Sequence, residues 1–284
     1  MIVGCENKPT VCLQCHMDMV CQADDSVTID FTKDPIVPRI DGKYLKATGT
    51  SLGADDGIGV ASCFAILADK TIKHGPLEVL VTRDEETGMY GAAGLEAGIL
   101  KAQYMINLDS EEENAVCVGC AGGFTFHMKL DTPRAPLNNE VRKTVILNNF
   151  NGGHSGCDIH LGRANCIHVA ARLLKALCCP VRLISIDCGT AHNAIPRKLV
   201  MDVAVPTEKA ACFEKCMNKH WEEFQKEYAP IEKTCTMTIT ESTSTMDPMT
   251  EEVTKRYINF ANVFPFAVMR MSATVAGDVE TSIT

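Results

Sequence analysis

The sequence predicts an α/β protein: a sheet with helices, followed by a smaller α+β domain. Three observations predict it. Short apolar runs alternate with helix-like stretches through the first half, the pattern of a parallel sheet. Residues 130–140 (LDTPRAPLNNE) are polar, carry two prolines and read as a linker, which sets domains of 1–135 and 136–284. Beyond that segment helices are segregated from adjacent strands, the α+β pattern.

Residues 10–15 (TVCLQC) form a short apolar run and predict a buried strand. Residues 57–68 (GIGVASCFAILA) read as a mostly apolar helix, with Asp55 or Asp56 as its N-cap. A second strand is expected over 77–82 (LEVLVT), a short helix over 92–100 and a third strand over 103–108 (QYMINL). Past the linker, a strand over 143–149 leads to a glycine-rich turn, NGGHSG, at 151–156. A helix over 163–179 follows, then strands near 181–187 and 199–205. A charged helix from about 207 to 228, a threonine-rich strand near 234–240 and a helix near 249–261 complete the pattern.

Composition bounds the function. Of 284 residues, 46% are hydrophobic and 22% charged, which argues against disorder and suits roughly two domains. With 27 basic and 36 acidic side chains the net charge is −9. Nucleic-acid binding needs a basic footprint and an anionic membrane surface attracts a polybasic patch, so neither partner is expected. No apolar run reaches the ~18 residues of a membrane helix. The 15 cysteines are about 5% of the chain, below the ~8–10% of a disulfide scaffold. The opening residues MIVGCENKPTV carry no basic region followed by an apolar one. The thiols therefore read as free, small hydrophobes in a reducing, cytoplasmic compartment.

Chemistry-bearing residues cluster at strand ends. His16 and Asp18 (CHMDM) follow the first strand, Glu85 and Glu86 (DEETG) the second, and Asp109 (LDSEEE) the third. Asp55 and Asp56 (GADDGIG) open the apolar helix. Open α/β sheets bind ligands outside the carboxyl ends of their strands, so the post-strand groups should converge there. An imidazole with several carboxylates suits zinc, or manganese or cobalt at similar sites. A carboxylate shared by two cations makes a two-metal hydrolytic centre, with ions ~3.5–4 Å apart. Singly, each group has a plainer role: His-x-Asp as a surface pair, Asp as a helix cap, Glu85, Glu86 and Glu111–Glu113 as solvated charge. Their repetition at strand ends favours a site. The pairs Cys12/Cys15 and Cys117/Cys120 have the CxxC spacing of a zinc module. Cys12 and Cys15, however, lie in an expected strand, where residues three apart face opposite sides. Among the other polar and aromatic residues, His74, His127, His160, His168 and His220 read as structural or surface groups, His192 as a loop residue with a substrate contact beside Asn193 as the alternative, and Trp221 as a packing residue.

The segments LQCHMDMV, DFTKDPIVPRIDGKYLKATGTSLGADDGIGVA, HGPLEVLVTRDEETGMYGA, INLDSEEE and VGCAGG, and later NGGHSG and HNAIPR, carry a resemblance. The chain resembles metallopeptidase family M20, in its cytosolic aminoacyl-histidine (Xaa-His) dipeptidase branch, over nearly its whole length. The long second segment is the most specific. The resemblance implies part of a zinc-peptidase-like sheet, then an incomplete α+β lid domain that dimerises. It implies hydrolysis of dipeptides, of Xaa-His type or of broad specificity, at two zinc ions, with manganese or cobalt as substitutes. His16 would bind one metal, oriented by Asp18. Asp55 would bridge both ions, Asp109 would complete the first site and Glu86 would bind the second. Glu85 would be the general base. His154 would reach the active site of a partner subunit in a homodimer, and Asn193 would contact substrate.

The family's remaining metal ligand is a histidine late in a longer chain, and no histidine follows His220 here. A helical region also precedes the first strand in the family. The expectation is a piece lacking both ends, with the His16, Asp55 and Asp109 site complete and only Asp55 and Glu86 at the second. Cys15 stands where the family has a small, glycine-like residue. Two other readings stay open: an inactive remnant whose lid domain self-associates as a structural or interaction protein, and an M20 amidohydrolase of the deacylase type, against which the DFTKDPI-to-GIG stretch speaks.

Overall fold

The computed structural model describes residues 5–24, 26–110, 114–117, 119–120 and 122–284. The chain divides into two compact units, Met1–Gly122 and Gly123–Thr284.

The first unit is built on β1 (Val11–His16), followed by a hairpin of β2 (Pro38–Asp41) and β3 (Tyr44–Ala47). Then come α1 (Ala54–Ala68), β4 (Leu77–Thr82), a single helical turn α2 (Tyr90–Ala93) and β5 (Tyr104–Asn107). Strands β4, β1 and β5 form a parallel sheet with β1 in the centre. Its register aligns His16 with Thr82, and Gln14 with Asn107. The carboxyl ends of all three strands therefore lie on one rim, and the residues just beyond them are brought together there. Leu13, Cys15 and Cys63 form the buried apolar cluster between β1 and α1.

Three local features differ from the sequence expectation. Asp55 and Asp56 have non-helical torsions, so the regular helix starts after them. Of the two candidate caps Asp56 serves: its Oδ1 accepts the Gly59 N–H at 3.1 Å, three residues on. The expected helix over 92–100 shrinks to the α2 turn. Gly94 and Gly98 fall in that stretch, and Gly98 adopts φ +86°, a left-handed conformation that ends helices. The β2–β3 hairpin was not anticipated, although Gly42 at φ +62° sits in its two-residue turn.

In the second unit come β6 (Glu140–Asn148), β7 (Gly153–His154), α3 (Cys166–Lys175), β8 (Arg182–Cys188), β9 (Ala194–Ile195) and β10 (Leu199–Pro206). They are followed by α4 (Ala210–Tyr228), β11 (Thr236–Glu241), α5 (Glu251–Val263), β12 (Ala267–Met271) and β13 (Val279–Ile283). The order β11-β6-β10-β8 makes an antiparallel sheet. Val145 and Leu147 of β6, Met201 and Val203 of β10, and Phe213, Met217, Trp221 and Phe224 of α4 are buried in one core. Trp221 packs at 5.1 Å from Phe224 and edge-on to Phe150 at 6.3 Å, the packing role its place on an amphipathic helix suggests. The helix expected over 163–179 is shorter because Asn165 caps it, its side chain accepting the Ile167 N–H at 2.9 Å. The segment read as a linker is partly bonded into this unit: Arg134 donates to Ile184 O at 2.9 Å, and Arg182 donates to the carbonyls of Ala135 and Pro136. No described helix is long and apolar enough to cross a membrane.

Candidate metal centre

The site grows from the end of β1. His16 is almost fully buried, and its backbone N–H donates to Asp56 Oδ2 at 3.1 Å. Asp56, itself buried, uses its other oxygen to cap α1, so this carboxylate ties the strand end to the helix start. Gly59 is required by that contact, because a Cβ there would collide with the Asp56 carboxylate. The spacing Asp-x-x-Gly is the sequence signal for this connection.

The ring of His16 is oriented at both nitrogens. Its Nδ1 lies 3.0 Å from Asp18 O and donates to it, with the Asp18 carboxylate at 3.5 Å. That leaves Nε2 facing Asp55 Oδ1 at 3.0 Å and Asp109 Oδ2 at 3.7 Å. His16, Asp55 and Asp109 present ligand atoms within 4.8 Å of one another, and so do His16, Glu85 and Glu86. The Asp18 carboxylate accepts the N–H groups of Glu85 at 3.2 Å and Glu86 at 3.1 Å, which fixes the turn after β4. A cavity of about 230 Å³ opens beside this rim, lined by Gln14, Thr82, Glu85, Asn107 and Asp109 among others.

Charge crowding dominates the electrostatics. The ion pairs that Asp18, Asp55 and Asp109 make among the described residues are all with His16, and no lysine or arginine joins them. Burial pushes the Asp109 carboxyl up, and the neighbouring Asp55 adds to that, to about 6. Glu86 is raised by burial and then by Asp55 and Glu85. Burial alone would lower the His16 imidazole, but Asp55 and Asp109 outweigh it and hold it above its ordinary value. Burial opposes the charge on Asp18 too, yet the two N–H groups it accepts keep its carboxyl below the usual range. An excess of carboxylates that repel one another around a neutralisable imidazole is the environment a cation relieves. Its donor set of imidazole nitrogen and carboxylate oxygen fits zinc, manganese or cobalt.

His154 and Asn193 belong to the second unit and meet there in a small ribbon. His154 of β7 pairs with Ala194 of β9, and the Ser155 N–H donates to Asn193 O at 2.8 Å. The Nδ1 of His154 accepts the N–H groups of Gly156 and Cys157, both at 3.1 Å. The neutral ring therefore carries its proton on Nε2, leaving an exposed donor. Gly153 stands at φ +140°, and a Cβ there would strike Arg163 and Asp158, so the NGGHSG turn needs its glycine. Glu232, buried and unremarked in the sequence, supports the turn by accepting the N–H groups of Asn151 at 2.9 Å and Ala164 at 3.0 Å. Among the described residues neither Cys12/Cys15 nor Cys117/Cys120 makes a metal-ligand group. Cys15 instead packs against Cys63, with the sulfurs 3.8 Å apart. Glu111–Glu113 lie outside the described residues.

Known proteins resemble this chain in sequence and fold. The family model described as Peptidase family M20/M25/M40 matches residues 12–274. The cytosol non-specific dipeptidase of Escherichia coli is 42% identical over 284 residues, covering 99% of this chain and 58% of the relative. An uncharacterized protein of Bacillus subtilis is 32% identical over 112 residues, 38% of this chain and 28% of its own length. The crystal structure of the aminoacylhistidine dipeptidase from Vibrio alginolyticus matches with 43% identity and a TM-score of 0.63, over 98% of this chain and 58% of that one. The mixed α/β fold is thus shared with that enzyme, and the chain spans 58% of the length of both dipeptidases.

Proposed function

Because this chain belongs to peptidase family M20/M25/M40, we propose that it carries a metal-dependent dipeptidase site, acting on dipeptides of Xaa-His type or of broader range at a dinuclear centre. The names of the Escherichia coli and Vibrio relatives support the substrate class. The observation that carries the reading is the buried imidazole of His16 among carboxylates that, among the described residues, no lysine or arginine pairs with.

In this reading His16, Asp55 and Asp109 hold one ion, and Asp55 and Glu86 contribute to a second, with zinc as the metal and manganese or cobalt as substitutes. A metal bound there supplies polarisation of the scissile carbonyl and a lowered pKa for water. The remaining work belongs to the chain's own groups. Glu85 takes the proton of the attacking water and passes it to the leaving amine. Asp18 holds the backbone of Glu85 and Glu86, and its carbonyl fixes the His16 tautomer that presents the Nε2 lone pair. His154 Nε2–H donates to the developing oxyanion in a partner subunit, and Asn193 orients the substrate. Residues 1–135 act as the catalytic portion and 136–284 as a lid that dimerises. The free thiols and the name of the Escherichia coli relative support a cytoplasmic setting.

A second reading rests on α1, whose Ile58 and Phe64 are 66% and 65% exposed: an inactive chain that acts through apolar association. Two variants separate the readings. Asp55→Asn should lose both metal and dipeptide hydrolysis, while Glu85→Gln should keep metal and lose ~10²–10⁴-fold in turnover. Bound metal by elemental analysis and hydrolysis of an Xaa-His dipeptide are the measurements. A purified chain with negligible metal at neutral pH favours the inactive reading, and loss of metal in Glu85→Gln means base and ligand are exchanged.

A further inference from the structure

Four thiols converge where the end of α3 meets the start of α4. Cys178 and Cys179 lie just beyond α3, and Cys212 and Cys216 stand four residues apart on one face of α4. Cys178 Sγ is 3.2 Å from Cys212 Sγ and 2.9 Å from Cys216 Sγ. The sulfurs of Cys178, Cys179 and Cys212 all lie within 4.8 Å of one another. Cys178 and Cys212 are exposed, Cys216 is half-buried and Cys179 is buried. The hydrolytic site uses none of them.

We propose that Cys178, Cys179, Cys212 and Cys216 form a thiolate site for a soft d¹⁰ cation such as zinc or cadmium. Thiolates at ~2.3 Å from a tetrahedral zinc stand about 3.8 Å apart, so Cys178 must open from Cys212 and Cys216 by less than ~1 Å, and Cys216, outside the group of three, must swing toward Cys179 and Cys212, both by side-chain rotation. A disulfide would engage two of the four sulfurs at ~2.05 Å and leave the others without a role. Convergence of two helix positions on Cys178, with Cys179 alongside, is what a coordination polyhedron requires. The Cys216 thiol is held above its ordinary value, chiefly by the adjoining Cys178 sulfur, with Lys219 acting weakly the other way. Burial and the neighbouring thiols push Cys179 up to about 11, so without a cation the group stays protonated. Loading is a ligand exchange: each S–H gives its proton to buffer as its sulfur bonds the ion, and no oxidant or reductant takes part. The bound ion would join the end of α3 to α4 across the second unit.

The full-length chain, reduced with a phosphine and stripped of metal, is titrated with cadmium. The expected result is a thiolate-to-cadmium absorption that saturates at one ion per chain, with protection of Cys178, Cys179, Cys212 and Cys216 from alkylation in peptide mapping. The double variant Cys178→Ser, Cys212→Ser changes two exposed positions. It should weaken cadmium binding at this site beyond the roughly 10–100-fold cost of losing an outer partner of a ligand. An unchanged absorption in the double variant, protection that falls on other cysteines, or no thiolate absorption in the wild-type chain overturns the proposal. The alkylation map of the wild-type chain decides the matter even if the variant does not fold.

Discussion

In residues 123–284, Phe150, Phe213, Trp221 and Phe224 pack with Leu147, Met201 and Met217 into an extended core; among the described residues of 1–122, the buried apolar cluster is the small group of Leu13, Cys15 and Cys63. Beside these and Cys12, the first unit buries polar groups: His16, Asp56 and Thr82. Its helix α1 leaves Ile58, Phe64 and Leu67 at the surface, whereas α4 buries its apolar stripe. The second unit is held by what it excludes from water, and the first is organised around a constellation of charge. Area removed from water stabilises at about 25 cal/mol per Å², while crowded carboxylates cost free energy until a cation joins them. The two units should therefore answer differently to core truncation, to metal and to acid.

The largest expected difference is in packing. Phe224→Ala should destabilise the second unit by ~3–5 kcal/mol, because the side chain is almost fully buried among other aromatics. Denaturant unfolding followed by Trp221 fluorescence measures it. A loss below ~1 kcal/mol would mean the core relaxes around the gap and the contrast with the first unit is weaker than the burial suggests.

Metal should act on the opposite unit. Manganese is the discriminating ion, since carboxylate and imidazole accept it and thiolates prefer softer ions. At a hundredfold excess over its dissociation constant it should stabilise the first unit by ~2.7 kcal/mol. Hydrogen exchange read by mass spectrometry should slow in peptides from β1 and α1 and stay unchanged in α4. Asp55→Asn should abolish the slowing. Equal protection of both units would dissolve the distinction.

How much of this was legible in the sequence follows the same division. His16, Glu85, Glu86 and Asp109 could be grouped in advance because parallel strands deliver their carboxyl ends to one rim, and the register of β1 with β4 and β5 does so. The choice between Asp55 and Asp56 as cap was not legible. Both are aspartates before a helix, and only the backbone torsions turn Asp56 inward to Gly59 while Asp55 faces His16. The helix expected over 92–100 counted apolar residues and underweighted its glycines. The β2–β3 hairpin carries an Asp-Gly signal, at Asp41 and Gly42, but its strands show no clear alternation of apolar residues to announce them. The thiols of Cys178, Cys179, Cys212 and Cys216 escaped because no short spacing links them; tertiary packing of α3 on α4 brings them together.

Acid should separate the units next, in metal-free protein. Asp109 lies at about 6 in the folded chain, above an unfolded carboxyl, and His16 is also raised. The native state then binds more protons than the unfolded one, so the first unit loses stability as pH rises through 6 and regains it on acidification. Glu140 has the opposite sign. Arg182, donating to it, holds its carboxyl below the ordinary range despite burial. That contribution is present at neutral pH and is lost as pH falls through the depressed value. Hydrogen exchange between pH 7 and 4 should show β1 becoming more protected while β6 and β8 do not. Parallel trends in both units would mean the carboxylate crowding at His16 is relieved some other way.

The smallest expected effect tests whether the second unit depends on its core alone. Asn165→Ala removes the cap at the start of α3, leaving the Ile167 N–H without its partner. The usual cost of a lost cap is ~1 kcal/mol. Because α3 buries Val169, Ala170, Leu173 and Leu174, packing should hold the helix in place and confine the loss to its first turn. Exchange at Ile167 and His168 should then speed up while Leu173 and Leu174 remain protected. If the whole of α3 loosens instead, the cap and the core are one cooperative unit, and hydrogen bonding at the helix end does as much as burial to hold the second unit closed.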